Sequence, residues 1–328
     1  MPHFCNCKTR KNSGRVPVRK QEFRDGPFGD DLEVIFARNL LDVIRRIRLS
    51  MSATEIDEAI RRSVSQAVQA LDESFRSVDA RPLINTMTEE ILRAGREQAS
   101  EYARRNLIGY RFDVTDERAF EWAQNRAGQL ISNITDEIRT KVSSVTMRVL
   151  DGEMSMIDAR NEIARNVGLH DRWQKAVDNS YEKTLDDLLE AGVDLEEASI
   201  MAQQVADNYA QRLLKSRAAN IARTEVATAQ NQGRLIHWQQ LSASGVINPA
   251  TAVKEWRTAP EFVSSKTEVC PICEPMDGVR APLFAEFSEV GVVMPPAHPN
   301  CRCRAVLVVE AIGDVIDFVE AQREELGY

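Results

Sequence analysis

Aromatic residues are scarce in this chain, at 6% of 328 residues, and Gly and Pro number only 15 and 12. That composition leans away from a strand-rich sandwich and towards helices. No long apolar run occurs. The longest uncharged stretch, Leu235 to Val253, carries Gln, Ser, Asn and Pro, which a lipid-buried helix would not hold without partners. The N-terminal segment lacks the apolar core of a secretory signal. A reducing cytoplasm is therefore expected as the place of synthesis and assembly, where cysteines serve as metal ligands more often than as disulfides. Also missing are an H-E-x-x-H pair, a Gly-rich phosphate loop and an evident Ser/His/Asp set. The usual sequence grounds for assigning an enzyme are absent, and the expectation is a protein without catalytic residues.

What is present is ordinary in bulk and uneven in detail. Apolar residues make up 43% and charged residues 28%, enough to build a core and too little charge for wholesale disorder. The net charge is −8. Residues 1–29 hold seven cations (Lys8, Arg10, Lys11, Arg15, Arg19, Lys20 and Arg24) against Glu22 and Asp25, a balance of +5 that leaves −13 on the remainder. A basic arm on an acidic body is the pattern of a tail that docks on something negative. A solvated terminus would look the same.

Periodicity divides the rest. Leu32, Phe36, Leu40, Val43 and Ile47 share one helical face. Ser52-x-x-Glu55 is a capping box opening a helix through Ile60, Val64, Leu71 and Phe75 to Val78. A further helix is predicted from Pro82 to about Asn106. The strongest stripe runs Phe120, Ala123, Ala127, Ile131, Ile134, Ile138, Val142, Val145 and Val149, and Asp151–Gly152 ends it. Ser155 opens a short helix, and two more span Asp171–Ala191 and Asp194–Leu241, the last with a break expected near Gly233. After Leu241 the texture changes to loops and short β-branched runs, with strands predicted at Val253–Thr258, Val290–Met294 and Arg304–Val309 and a turn at Met276–Gly278. The predicted fold is thus mainly α, with long amphipathic helices followed by a small C-terminal α+β module. It comprises a basic arm (1–29), an extended helical domain (30–241), a zinc-binding module (242–310) and a C-terminal helix (311–328).

The module carries the chemistry. Cys270-Pro-Ile-Cys273 is followed after 24 residues by His298-Pro-Asn-Cys301-Arg-Cys303. A C-x2-C pair forms a knuckle that turns both thiolates to one side, and structural zinc takes four such N/S ligands as two short pairs. Five candidates compete for four positions. Cys270, Cys273 and His298 come first, with Cys301 placed ahead of Cys303. A module of this size with few aromatics has a thin core, and a bound ion supplies stability it would otherwise lack. Four buried free thiols are the alternative. A second site on His3, Cys5 and Cys7 would have too few ligands to close. His237 stands outside the cluster and is assigned to packing, as are Trp122, Trp173 and Trp256. For Arg223-Thr-Glu225 two readings stand, a solvated or locally paired face and an Arg–Glu brace onto the zinc module.

Taken together, Arg223-Thr-Glu225, Gly233, Trp238, Trp256-Arg-Thr258, Cys270-x2-Cys273, Asp277-Gly278 and Pro295-Pro-x-His298-Pro-Asn-Cys301-Arg-Cys303 resemble the phage Mu protein F-like head morphogenesis family, minor head proteins of tailed bacteriophages. The resemblance covers about residues 215–310, and the helices from about Phe112 resemble the region preceding this module. Residues 1–110 carry no family signature. The resemblance implies a virion component in a few copies at the portal vertex, assembled in the host cytoplasm and acting in head assembly or DNA packaging and ejection. It implies no established catalysis, and it carries metal ligation onto Cys270, Cys273, His298, Cys301 and Cys303. Portal protein, major capsid protein and, through the arm, packaged DNA are the expected partners, and no membrane.

Two other function classes make different demands. A zinc-dependent nuclease or peptidase needs an open metal position and a nearby carboxylate, for which Glu225, Glu274 and Asp277 are the candidates. A DNA-binding protein would use Arg302, Arg304 and the arm, against the acidic remainder of the chain.

Overall fold

The computed structural model describes residues 30–50, 53–76, 78–106, 108–258 and 270–308. The basic arm with its six candidate contacts, the Ser52 end of the capping box and the C-terminal helix from Asp314 lie outside the described residues. Eight helices precede a small sheet: α1 Asp30–Ser50, α2 Ala53–Arg62, α3 Val64–Arg76, α4 Arg81–Asn106, α5 Arg118–Leu150, α6 Met156–Asn166, α7 Asp171–Glu190 and α8 Leu195–Ala243. The strands β1 Val253–Arg257, β2 Arg280–Pro282 and β3 Arg304–Val308 form one antiparallel sheet in the order β2-β1-β3. The protein is therefore mainly helical with a three-stranded sheet near its C-terminus. No helix among the described residues is long and apolar enough to cross a membrane.

Local chemistry sets most of the boundaries. Ser155 Oγ accepts the Asp158 N–H at 3.1 Å and starts α6. Asp194 Oδ1 accepts from the Glu196 and Glu197 N–H groups and starts α8. Gly152, at φ +77°, ends α5, with the Glu153 N–H returning to the Arg148 carbonyl. Four features differ from the sequence expectations. The helix predicted through Val78 is interrupted at Ser63, whose Oγ accepts the Gln66 N–H and restarts the chain as α3. The α5 stripe begins on Ala119 (1% exposed), while Phe120 is 51% exposed. The run Val290–Met294 makes only a single bridge, Phe287 to Val292, and is not a strand, whereas the short strand β2 had no β-branched signal to reveal it. Finally, α8 runs unbroken through Gly233.

Gly233 serves packing instead. A Cβ there would stand 2.3 Å from the Ile91 carbonyl oxygen, so α8 and α4 approach backbone to backbone at that point. Gly95 leaves similar room for the Phe112 ring.

The described residues divide into two compact units. One comprises the described parts of Met1–Phe36, Ile84–Ala123 and Asn220–Tyr328, and the other comprises Ala37–Leu83 and Gln124–Ala219. The core of the first holds Trp238 and Leu241 of α8 with Trp256, Met276, Leu283 and Phe287, and Tyr102, Ile108 and Tyr110 pack against it. Trp256 and Phe287 meet edge to face at 5.2 Å. In the second, Leu169, Val177, Ala206 and Ala210 form a small core, and Lys141 of α5 pairs with Glu162 of α6 at 2.6 Å and Asp178 of α7 at 3.0 Å.

Candidate metal centre

The central strand β1 fixes the frame of the site. Glu255 and Trp256 of β1 lie opposite Val306 and Ala305 of β3. Beyond the strand end, the Thr258 N–H and hydroxyl both donate to Asp277 Oδ1, at 2.9 and 3.0 Å, and the Gly278 N–H donates to the Trp256 carbonyl. The Thr258 backbone N–H, with its hydroxyl, holds the Asp277 carboxyl below its ordinary range. Gly278 sits at φ +80°, the left-handed region this tight return requires. These bonds place the segment that follows Cys270 against the sheet.

The first pair of donors is a knuckle. The N–H groups of Cys273 and Glu274 both donate to the Cys270 carbonyl, at 2.8 and 2.9 Å, and the Ile272 N–H points to Cys270 Sγ at 3.4 Å. The second group sits on a closed turn. The Cys301 N–H returns to the His298 carbonyl, and Asn300 adopts φ +62°. His298 Nδ1 lies 2.8 Å from the Pro299 carbonyl, a partner to which it must donate. That bond fixes the tautomer and leaves the Nε2 lone pair free, 3.0 Å from Cys273 Sγ.

All five donors converge. Cys270, Cys273 and His298 form one triad and Cys273, Cys301 and Cys303 another, with the ligand atoms of each within 4.8 Å of one another. Cys273 belongs to both. Its sulfur is 3.7 Å from that of Cys301, and a tetrahedral zinc with thiolates at about 2.3 Å would set them about 3.8 Å apart. Cys273, Cys301 and Cys303 are buried, while Cys270 and His298 are partly exposed. Crowding splits the thiols. Hydrogen bonding to Cys301, then to Cys303, pushes the Cys273 thiol up, and the same bond from Cys273 draws Cys301 down. Three sulfurs this close accommodate little negative charge alone, and a divalent cation is the partner that lets several ionise together. Four sulfurs and an imidazole are a soft to borderline donor set, and the residues present fit zinc.

These donors fall inside a stretch that matches a family model. Residues 184–306 match the model of a family described as Phage Mu protein F like protein. Over this segment the chain is similar to the Phage Mu protein F-like family. No curated protein and no solved structure matches the chain.

The Mu F-like region runs from within α7 to β3 and encloses every proposed ligand. Its R-T-E motif lies on α8 beside the ligand turn. Thr224 Oγ1 accepts the Asn300 N–H at 3.0 Å, and Arg223 lies 3.7 Å from Glu33. The contacts to the turn run through Thr224 and Arg223 rather than through an Arg–Glu pair, and Glu225 is buried. Of the other carboxylates, Asp277 is engaged with Thr258 and Glu274 is exposed. Arg302 is exposed and Arg304 half-buried. His237 is buried between the Tyr102 and Tyr110 rings, as a packing residue would be.

Two residues escaped the sequence reading. Lys254, fully buried on β1, donates from Nζ to the Leu283 carbonyl at 3.0 Å and to that of Ala285, and lies 5.2 Å from the Phe287 ring. Burial lowers it to about 8. Asn231 of α8, 1% exposed, bonds the backbone of the ligand segment. Its spacing of seven from Thr224 was the available signal, since seven residues return a helix to the same face.

Proposed function

We propose that this chain is a structural minor protein of a tailed-phage head, standing at the portal vertex, and that one zinc ion staples its C-terminal module into a rigid docking head. The observation that carries this reading is the convergence of five soft donors inside the Mu F-like region. Cys270, Cys273, His298 and Cys301 hold the ion, with Cys303 behind them. Four protein ligands fill a tetrahedral zinc and leave no position for water, so the ion acts as a brace and the protein has no hydrolytic role. Portal protein and major capsid protein are the docking partners. The basic arm, through Lys8, Arg10, Lys11, Arg15, Arg19 and Lys20, reaches packaged DNA or an acidic patch on the portal.

Two measurements test the reading. Elemental analysis of the purified chain should return about one zinc per chain, the capacity of a single four-ligand site. Crosslinking in intact particles should join it to portal protein. A chain that folds fully without metal, or that is absent from particles, would sink the proposal.

A further inference from the structure

The His298–Cys303 half of the metal centre is held from α8 at two places. At the first, the Asn300 N–H donates to Thr224 Oγ1 at 3.0 Å, and Arg223 Nη1 reaches Asn300 Oδ1 at 3.4 Å. At the second, two helical turns on, Asn231 Nδ2 donates to the Cys303 carbonyl at 3.2 Å while the Ala305 N–H donates to Asn231 Oδ1 at 3.3 Å. The amide thus bonds the ligand segment as a neighbouring strand would, meeting one carbonyl and one N–H. Its orientation is fixed from both ends, because Nδ2 also donates to the Ala227 carbonyl and Oδ1 also accepts from Arg234 Nη1. Asn is a poor helix former and costly to bury unless bonded, so its place in the middle of α8 is explained by these bonds.

Cys301 lies between the two clamps, and the second grips the Cys303 carbonyl itself. A metal site tolerates misplacement of only about 0.5 Å in its ligands, so whatever fixes this backbone fixes the geometry of the ion. The effect is mutual. If α8 raises the affinity of the site, the bound ion stabilises α8 by the same factor.

Building on the zinc reading above, we propose that Thr224 and Asn231 are positioning residues of the metal centre, and that ion binding is transmitted through them to α8 from Asn220 onwards. The full chain, with zinc affinity measured by competition against a chromogenic chelator, provides the test. Asn231→Ala is expected to weaken zinc binding about 10–100-fold, the usual loss for a residue that orients a ligand. Thr224→Val, which removes the bond from the Asn300 N–H together with the hydroxyl's own bond to the Asn220 carbonyl, should weaken it less. Hydrogen exchange adds a readout that simple destabilisation would not mimic: chelation should speed exchange of the α8 amides from Asn220 to Ile236 in the parent protein, and by less in the variants. Parent-like zinc affinity in both variants, or α8 exchange indifferent to chelation, would overturn the coupling alone. If Asn231→Ala does not fold, Thr224→Val decides by its affinity. A parent chain that binds no zinc would remove the metal reading and the coupling with it.

Discussion

At the scale of single residues, the five donors are not equivalent. Cys273 is common to both triads, so Cys273→Ser should abolish stoichiometric zinc binding. Cys301→Ser should remove a thiolate from the coordination sphere, whereas Cys303→Ser should keep one zinc with an affinity loss of about 10–100-fold, as for an outer-shell partner. Cobalt substitution checks the difference, because the thiolate charge-transfer bands count the sulfurs: they should weaken in the first variant and persist in the second. His237 has a different consequence. Both ring nitrogens lack hydrogen-bond partners among the described residues, and burial lowers it to about 4 from an ordinary 6.5. As pH falls, the unfolded chain takes up this proton before the folded one. The stability His237 contributes is complete above 6.5 and is lost between 6.5 and 4, to the extent of about 3 kcal/mol. Urea unfolding of the parent and of His237→Phe at pH 7 and pH 4.5 should show a smaller acid loss in the variant. Equal losses would mean that the imidazole titrates normally.

Among the elements, the meeting of α8 with α4 is the least tolerant. Alanine at Gly233 would gain about 1 kcal/mol of helix propensity. Its Cβ would nonetheless meet a backbone oxygen at 2.3 Å, which cannot step aside as a side chain can. The net effect of Gly233→Ala should be a loss of about 2 kcal/mol, read as a lower urea midpoint at unchanged slope. This position also marks where sequence stops being legible. A glycine inside a helical pattern reads as a break or as a close approach, and only the partner helix decides which. The helix starts at Ser155 and Asp194 were readable because both residue types bond their own neighbours, and the α5 stripe because burial repeats with the helical turn. Phe120 departs from the expected stripe because the small Ala119 beside it faces the core. The clustering of the four cysteines and His298 was legible from their spacing. Asn231 was not, because its partners are backbone atoms more than 70 residues away. Lys254 broke the rule that lysine lies outside, being satisfied by two carbonyls that no sequence pattern announces.

For the whole molecule, the decisive property is the division of charge. The net −8 conceals +5 in residues 1–29 and −13 beyond them. A duplex carries dense negative charge, so the acidic body repels it and any affinity for DNA must come from the arm. Each phosphate neutralised by a cation steepens the dependence of log K on log salt by about 0.9. If five of the seven cations engage, the full chain should show a slope of about −4 to −5, and a chain lacking residues 1–29 should bind too weakly to measure at moderate salt. The repulsion gives the comparison its direction. Removing the arm leaves −13, so the truncated chain should lose more affinity than the missing contacts alone would cost, and its deficit should shrink as salt screens the body. Zinc removal should leave the slope unchanged, because the proposed metal centre lies outside the basic arm. A slope that survives loss of the arm would move the nucleic-acid contact to the module, with Arg302 and Arg304 as its cations. A slope near zero in the full chain would remove DNA as a partner of the arm.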